Sequence, residues 1–222
     1  TIDTGDGNDT IIATGGAAGI LNTTNDSRPG ALSGTIKTGA GNDTIIATGT
    51  GFASSGISNI GTIDTGEGND TITATGSSYG ITSNNILNTG EGNDTITGTG
   101  GFVGIDSNRK IDTGEGNDTI TGTGGFAGIY NRGTINTGSG NDIITGIGTN
   151  GFGILNDSTI DTGAGNDIVD ALTGGFGGTG TIRLGDGTDV LKGFGSGFFD
   201  GGKGKDTLVL SSGNYAVGGS GD

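Results

Sequence analysis

A Gly-x-Gly turn that closes on an aspartate and opens into an apolar residue recurs nine times along this 222-residue chain. The first copy reads Thr4-Gly5-Asp6-Gly7-Asn8-Asp9-Thr10-Ile11-Ile12. The turn aspartates are Asp9, Asp43, Asp70, Asp94, Asp118, Asp142, Asp167, Asp189 and Asp206, separated by 34, 27, 24, 24, 24, 25, 22 and 17 residues. A near-fixed period of this size is the signature of a stacked repeat architecture, in which each repeat contacts only its neighbours. One continuous body is therefore expected.

A single period shows how a coil is built. Thr62-Ile63-Asp64-Thr65 alternates polar and apolar as a half-buried strand does. Gly66-Glu67-Gly68-Asn69-Asp70 is a turn, Thr71-Ile72-Thr73-Ala74-Thr75 alternates again, and Gly76 ends it. A looser stretch carries Tyr79, Gly80 and Ile81 before the next strand begins at Ile86. Three short strands joined by glycine turns make one rung. The fold class expected is all-β: a right-handed parallel β-helix or β-roll solenoid of about eight to nine coils.

Stacked rungs place like residues above one another at about 4.8 Å. One ladder then reads Ile11, Ile45, Ile72, Ile96, Ile120, Ile144, Val169, Leu191, Leu208. A second reads Ile2, Ile36, Ile63, Leu87, Ile111, Ile135, Ile160, Ile182, and a third Ile20, Ile57, Ile81, Ile105, Ile129, Ile154. Ala13, Ala47 and Ala74, followed by Gly98, Gly122 and Gly146, mark a place where space is tight. The column Phe52, Tyr79, Phe102, Phe126, Phe152, Phe176 reads as a buried corner ladder rather than as a sugar-stacking platform. With only 28% hydrophobic residues and 55 glycines, such a core is too thin to fold by burial alone.

The period divides the chain in two. Residues 1–180 form a long-coil solenoid with a surface loop at 22–34, which holds the only proline, Pro29; residues 181–222 continue it with a shorter coil. The body is expected to taper there.

Charge suggests what supplements the core. The formal net charge is −15 with no histidine. Nucleic acid is not an expected partner, because phosphate binding needs clustered Lys and Arg. Absence of cysteine and histidine excludes disulfides, thiolate sites, zinc centres and imidazole triads. No run approaches the roughly 18 apolar residues of a membrane span. The chain begins mid-repeat at Thr1 and stops inside a motif at Asp222, as a segment of a longer protein would.

Carboxylates returning in register, beside glycine carbonyls that no Cβ obstructs, build a row of sites for a hard, oxygen-seeking cation. Nine turn aspartates bracket about eight inter-coil sites, and eight Ca²⁺ would nearly cancel the net charge of −15. The preceding Asn8, Asn42, Asn69, Asn93, Asn117, Asn141 and Asn166 read as turn formers tolerant of the left-handed region.

Gly-Gly-x-Gly-x-Asp-x-apolar-x is the nonapeptide of the RTX, or haemolysin-type calcium-binding, repeats, and this chain resembles that family from Thr4 to the end. The first position departs, with Thr4, Thr38, Thr65, Thr89, Thr113, Thr137 and Thr162 in place of glycine; Gly201-Gly202-Lys203-Gly204-Lys205-Asp206-Thr207-Leu208-Val209 restores it. The resemblance implies several Ca²⁺ between adjacent turns, held by the nine turn aspartates. Carbonyls near Gly5, Gly7, Gly39, Gly41, Gly66, Gly68, Gly90, Gly92, Gly114, Gly116, Gly138, Gly140, Gly163, Gly165, Gly185 and Gly187 would complete the sites. It also implies type I secretion and folding after export.

Other motifs carry less. Asp6, Glu67, Glu91, Glu115 and Asp186 share a turn slot with Ala40, Ser139 and Ala164, so they read as solvated acids rather than a glycosidase pair. Gly197 to Lys203 resembles a phosphate loop, but Gly204 stands where Ser or Thr is needed. The Asn-Asp-Thr sequons fall inside the turns and read as coincidence. Thr71, Thr73 and Thr75, with Thr95, Thr97, Thr99, Thr119, Thr121 and Thr123, form an outward grid resembling those of β-helical ice-binding proteins.

The expectation is a non-enzymatic, calcium-loaded structural solenoid at the cell surface or outside the cell: a filament, surface layer or adhesin spacer. End-to-end or lateral self-association is expected, the latter through Ile143, Ile147, Ile168 and Leu172. The alternatives are an ice-binding face, polysaccharide contact, or the secretion and folding module of a larger toxin or enzyme.

Overall fold

The computed structural model describes residues 1–23 and 34–218. Most of the expected loop at 22–34 and the terminal turn beyond Gly218 therefore lie outside the described residues. Among the described residues all regular elements are β-strands, and all their pairings are parallel. No described helix is long and apolar enough to cross a membrane.

Three faces wind around one axis. The coil guide begins with Thr62–Glu67 on the first face, continues with Thr71–Gly76 on the second, and closes with Tyr79–Ser83 on the third. Each pairs with its equivalent one coil away: Leu87 with Ile63, Ile96 with Ile72, Ile105 with Ile81. The three apolar ladders expected from the repeat are thus paired residue for residue, and from the second coil onward their members are almost wholly buried, apart from the half-buried Leu208 at the last rung. β-Branched isoleucine suits this site because a pleated surface stacks its branched side chains on their copies above and below.

Seven full coils of three strands run from Ile2 to Gly177, slightly fewer than the aspartate count suggested. Beyond them the corners disappear. The strand Val190–Asp200 runs unbroken past all three faces, pairing Leu191 with Val169, Gly195 with Phe176 and Phe199 with Ile182. Thr207–Gly218 then lies along it. Shorter periods come from this loss of corners.

The second and third faces meet backbone to backbone. A Cβ at Gly98 would collide with the Gly104 carbonyl and the Ile105 side chain, and through the seven full coils this crowded column holds only Ala or Gly. The same closeness corrects the reading of the aromatic column. With no interior space at this corner, the rings turn outward: Phe52 is fully exposed, and Phe102 and Phe126 are 46% and 37% exposed. Phe102 stacks on Phe126 with centroids 5.0 Å apart, and Phe152 meets Phe126 edge-on. Only Phe176, in the last full coil, turns inside, where it takes the place of the third-ladder isoleucine against Ile154.

Buried amides reinforce the opposite corner. Asn22 donates to Asn59 Oδ1 and to the Thr62 carbonyl, and Asn131 donates to Asn156 Oδ1 and the Thr159 carbonyl. Ser83 and Ser107 occupy the intervening places, and the Ser107 hydroxyl is buried without a partner.

Candidate metal centre: the aspartate column

Each Gly-x-Gly turn is shaped by two glycines that no other residue replaces. Gly90 and Gly92 have φ of 103° and 135°, a region costly for any L side chain. They also lie so close to the preceding coil that a Cβ on either would collide with the carbonyl of Gly66 or Gly68. The glycine carbonyls therefore point along the stack rather than into open solvent. The Gly90 and Gly114 oxygens accept the amides of Glu115 and Ser139 in the next coil, leaving each a second lone pair.

The turn brings Asp43, Asp70, Asp94, Asp118, Asp142, Asp167 and Asp189 inside, at no more than 1% exposure. They stand in single file, one per coil. Oδ1 of each accepts the backbone amide of the preceding aspartate: Asp70 N to Asp94 Oδ1 is 2.8 Å, and Asp94 N to Asp118 Oδ1 is 2.8 Å. Through Oδ1 the aspartates thus fasten the neighbouring turn. The asparagines strap the coils in the opposite sense, as Asn93 Oδ1 accepts from Asn117 N at 2.7 Å. That corrects their expected role. The sole described non-glycine residue at positive φ is Ala53, so asparagine is wanted here for its inter-coil acceptor, not for a left-handed turn.

Oδ2 is different. In Asp9, Asp43, Asp70, Asp94, Asp118, Asp142, Asp167 and Asp189 it is buried and has no hydrogen-bond partner. Burial raises the carboxyl pKa of Asp70, Asp94 and Asp167, and pushes those of Asp118, Asp142 and Asp189 up to about 6; hydrogen bonds to the carboxylate only partly offset it. No described ion pair relieves the column: Lys110 pairs with Asp112, Arg132 with Asp106, Lys192 with Asp170 and Lys203 with Asp186. A row of buried, unpaired carboxylate oxygens has the charge and hardness that suit Ca²⁺.

Among the described residues no three carboxylates converge on one point. Any cation here would draw on successive aspartates and on the neutral oxygens of the turn walls. The shared acidic slot lies outside this column: Glu67, Glu91 and Glu115 are stacked in register on the exposed surface.

Reading the residues alone missed one component. Thr38, Thr65, Thr89, Thr113, Thr137 and Thr162, noted only as departures from glycine, are all 0% exposed. Their hydroxyls donate along the stack, Thr38 to the Thr65 carbonyl at 3.0 Å and Thr65 to the Thr89 carbonyl at 3.1 Å. They also lie against the carboxyls of their own turns, as Thr65 does against Asp70 and Thr113 against Asp118. Their spacing, five residues ahead of each aspartate, was the available signal.

No curated protein and no solved structure matches this chain. The RTX calcium-binding nonapeptide repeat (4 copies) matches residues 1–17, 30–49, 56–77, 79–101, 110–126, 132–146 and 156–175. These stretches cover more than half of the sequence and part of each of the seven full coils, and the chain belongs to the RTX calcium-binding repeat family.

Proposed function

We propose that this chain is a rigid, calcium-held spacer in a secreted or cell-surface protein, with a mechanical rather than catalytic role. The observation that carries this reading is the column of eight buried Oδ2 atoms without a donor. A core only three side chains wide cannot offset that much buried negative charge. Bound Ca²⁺ supplies the missing positive charge between coils. Its binding free energy then becomes folding free energy, about one ion per interval between turn aspartates. Such a chain stays unfolded where calcium is scarce and folds where it is abundant, which suits export before folding.

Circular dichroism during a calcium titration tests this. Chelator should abolish the β-sheet signal, Ca²⁺ should restore it, and Mg²⁺ should substitute poorly because it demands a tighter octahedral shell. A full native signal in excess chelator would refute the reading. Asp94→Ala should weaken calcium binding far more than Glu91→Ala, since Asp94 is interior and Glu91 is exposed.

A second reading has a specific observation behind it. Thr71, Thr95 and Thr119 pair in register, as do Thr73, Thr97 and Thr121, and Thr75, Thr99 and Thr123. This regular hydroxyl grid would suit ice. Thermal hysteresis that disappears in Thr97→Tyr would support it, and no hysteresis at any concentration would remove it. Self-association belongs to the spacer reading; a monomeric mass in millimolar calcium by light scattering would exclude it for this segment.

A further inference from the structure

Six threonines sit wholly inside a turn where the family repeat has glycine. Any small side chain would fill that space, and valine would do so without a polar atom to satisfy. The hydroxyl therefore needs an explanation. One part is the bond it donates along the stack, but in the central coils this is long: 3.4 Å from Thr89 to the Thr113 carbonyl and 3.4 Å from Thr113 to the Thr137 carbonyl. Ordinary O–H···O bonds run to about 3.0 Å.

The acceptor side of the hydroxyl is the more telling. The hydroxyl lies against a carboxyl group of the same turn, and the Oδ2 of that carboxyl is buried without a hydrogen-bond partner. The hydroxyl has one proton to give, to the next coil's carbonyl or to this carboxylate. Its lone pairs stay beside a buried carboxyl group either way, so a cation can lie near both oxygens. The chain also contains its own contrast. At the eighth turn the same slot holds Leu184, 0% exposed, so Asp189 has its orphaned Oδ2 without a hydroxyl beside it.

We propose that the buried threonine column is a second row of oxygen donors for the inter-coil cations, so that the threonine turns hold calcium more tightly than the Leu184 turn. This rests on the calcium-held reading above. The threonine supplies a neutral, hard oxygen next to the aspartate, adding a ligand without adding to the negative charge that the unloaded coil must carry.

The full chain is tested as Thr89→Val/Thr113→Val/Thr137→Val, as Thr113→Val alone and as Thr113→Ser, with calcium chloride as the probe. Two readouts are taken: the calcium midpoint for the β-sheet signal, and the ions retained at equilibrium dialysis. A third separates the structural role: the osmolyte concentration that restores the signal in chelator. The triple variant should raise the calcium midpoint on the order of tenfold, the scale seen when a metal site loses a supporting group, with a smaller change in the osmolyte midpoint. Thr113→Ser should match the parent. If the triple variant fails to fold, Thr113→Val should still retain fewer ions than the parent. Unchanged calcium midpoint and ion count in the valine variants, or equal losses with and without calcium, overturn the proposal and leave the hydroxyls as inter-coil fasteners. Failure of the parent itself to retain calcium overturns the reading beneath it as well.

Discussion

Replacing Asp118 by asparagine should change the stability of this protein in opposite directions with and without calcium. The substituted side chain would keep the oxygen that accepts from Asp94 N at 2.8 Å and exchange the unpaired Oδ2 for an uncharged amide. In chelator at pH 7 the parent must keep a carboxylate ionised although burial has pushed its pKa from 3.8 to about 6. At about 1.4 kcal/mol per unit, that is on the order of 2–3 kcal/mol against folding, which Asp118→Asn removes. Because the folded-state pKa is raised, the proton stabilises the metal-free solenoid: its contribution is complete below about pH 4 and fades as pH rises through about 6. Asp118→Asn should therefore flatten part of that pH dependence. In millimolar calcium the same change removes a charged oxygen from the site, and the calcium midpoint should rise by at least about tenfold. The metal-free arm is read as the trimethylamine N-oxide concentration that restores the β signal in chelator, since such osmolytes favour burial. A lower osmolyte midpoint together with a higher calcium midpoint is expected. Destabilisation of similar size in both arms would refute the reasoning, because it would mean that the carboxylate acts only as a hydrogen-bond acceptor.

Gly92→Ala should cost at least about 3 kcal/mol, combining a φ of 135° with a collision against the Gly68 carbonyl; Gly16→Ala, with open space around it, should be near neutral in the same urea melt. Phe126→Ala should lose only about 1 kcal/mol, the value of an exposed ring contact, whereas Phe176→Ala should lose about 3–5 kcal/mol from the core. Ser107→Asn should stabilise the protein in urea by about 1 kcal/mol, because asparagine at that corner completes an amide ladder where a buried hydroxyl is now unpartnered.

Much of this protein was legible in the repeat itself. The aspartate spacing specified parallel stacking, and the period-two alternation around Ile63, Ile72 and Ile81 specified which side chains form the interior ladders. Once the coils are in register, those columns follow, because translation by one coil superposes each residue on its copy. What lies between faces did not follow. Whether Phe102 points in or out depends on the gap between the second and third faces, which Gly98 and Gly104 close from different strands. The asparagine straps, the threonine column and the unpaired Oδ2 atoms likewise depend on which donor of one coil meets which acceptor of the next. Sequence determined the stack and its acidic edge, since these are properties of a period. Only the tertiary structure decided which polar atoms are satisfied, since hydrogen bonds depend on ångström-scale contacts between strands that the period places side by side but does not orient.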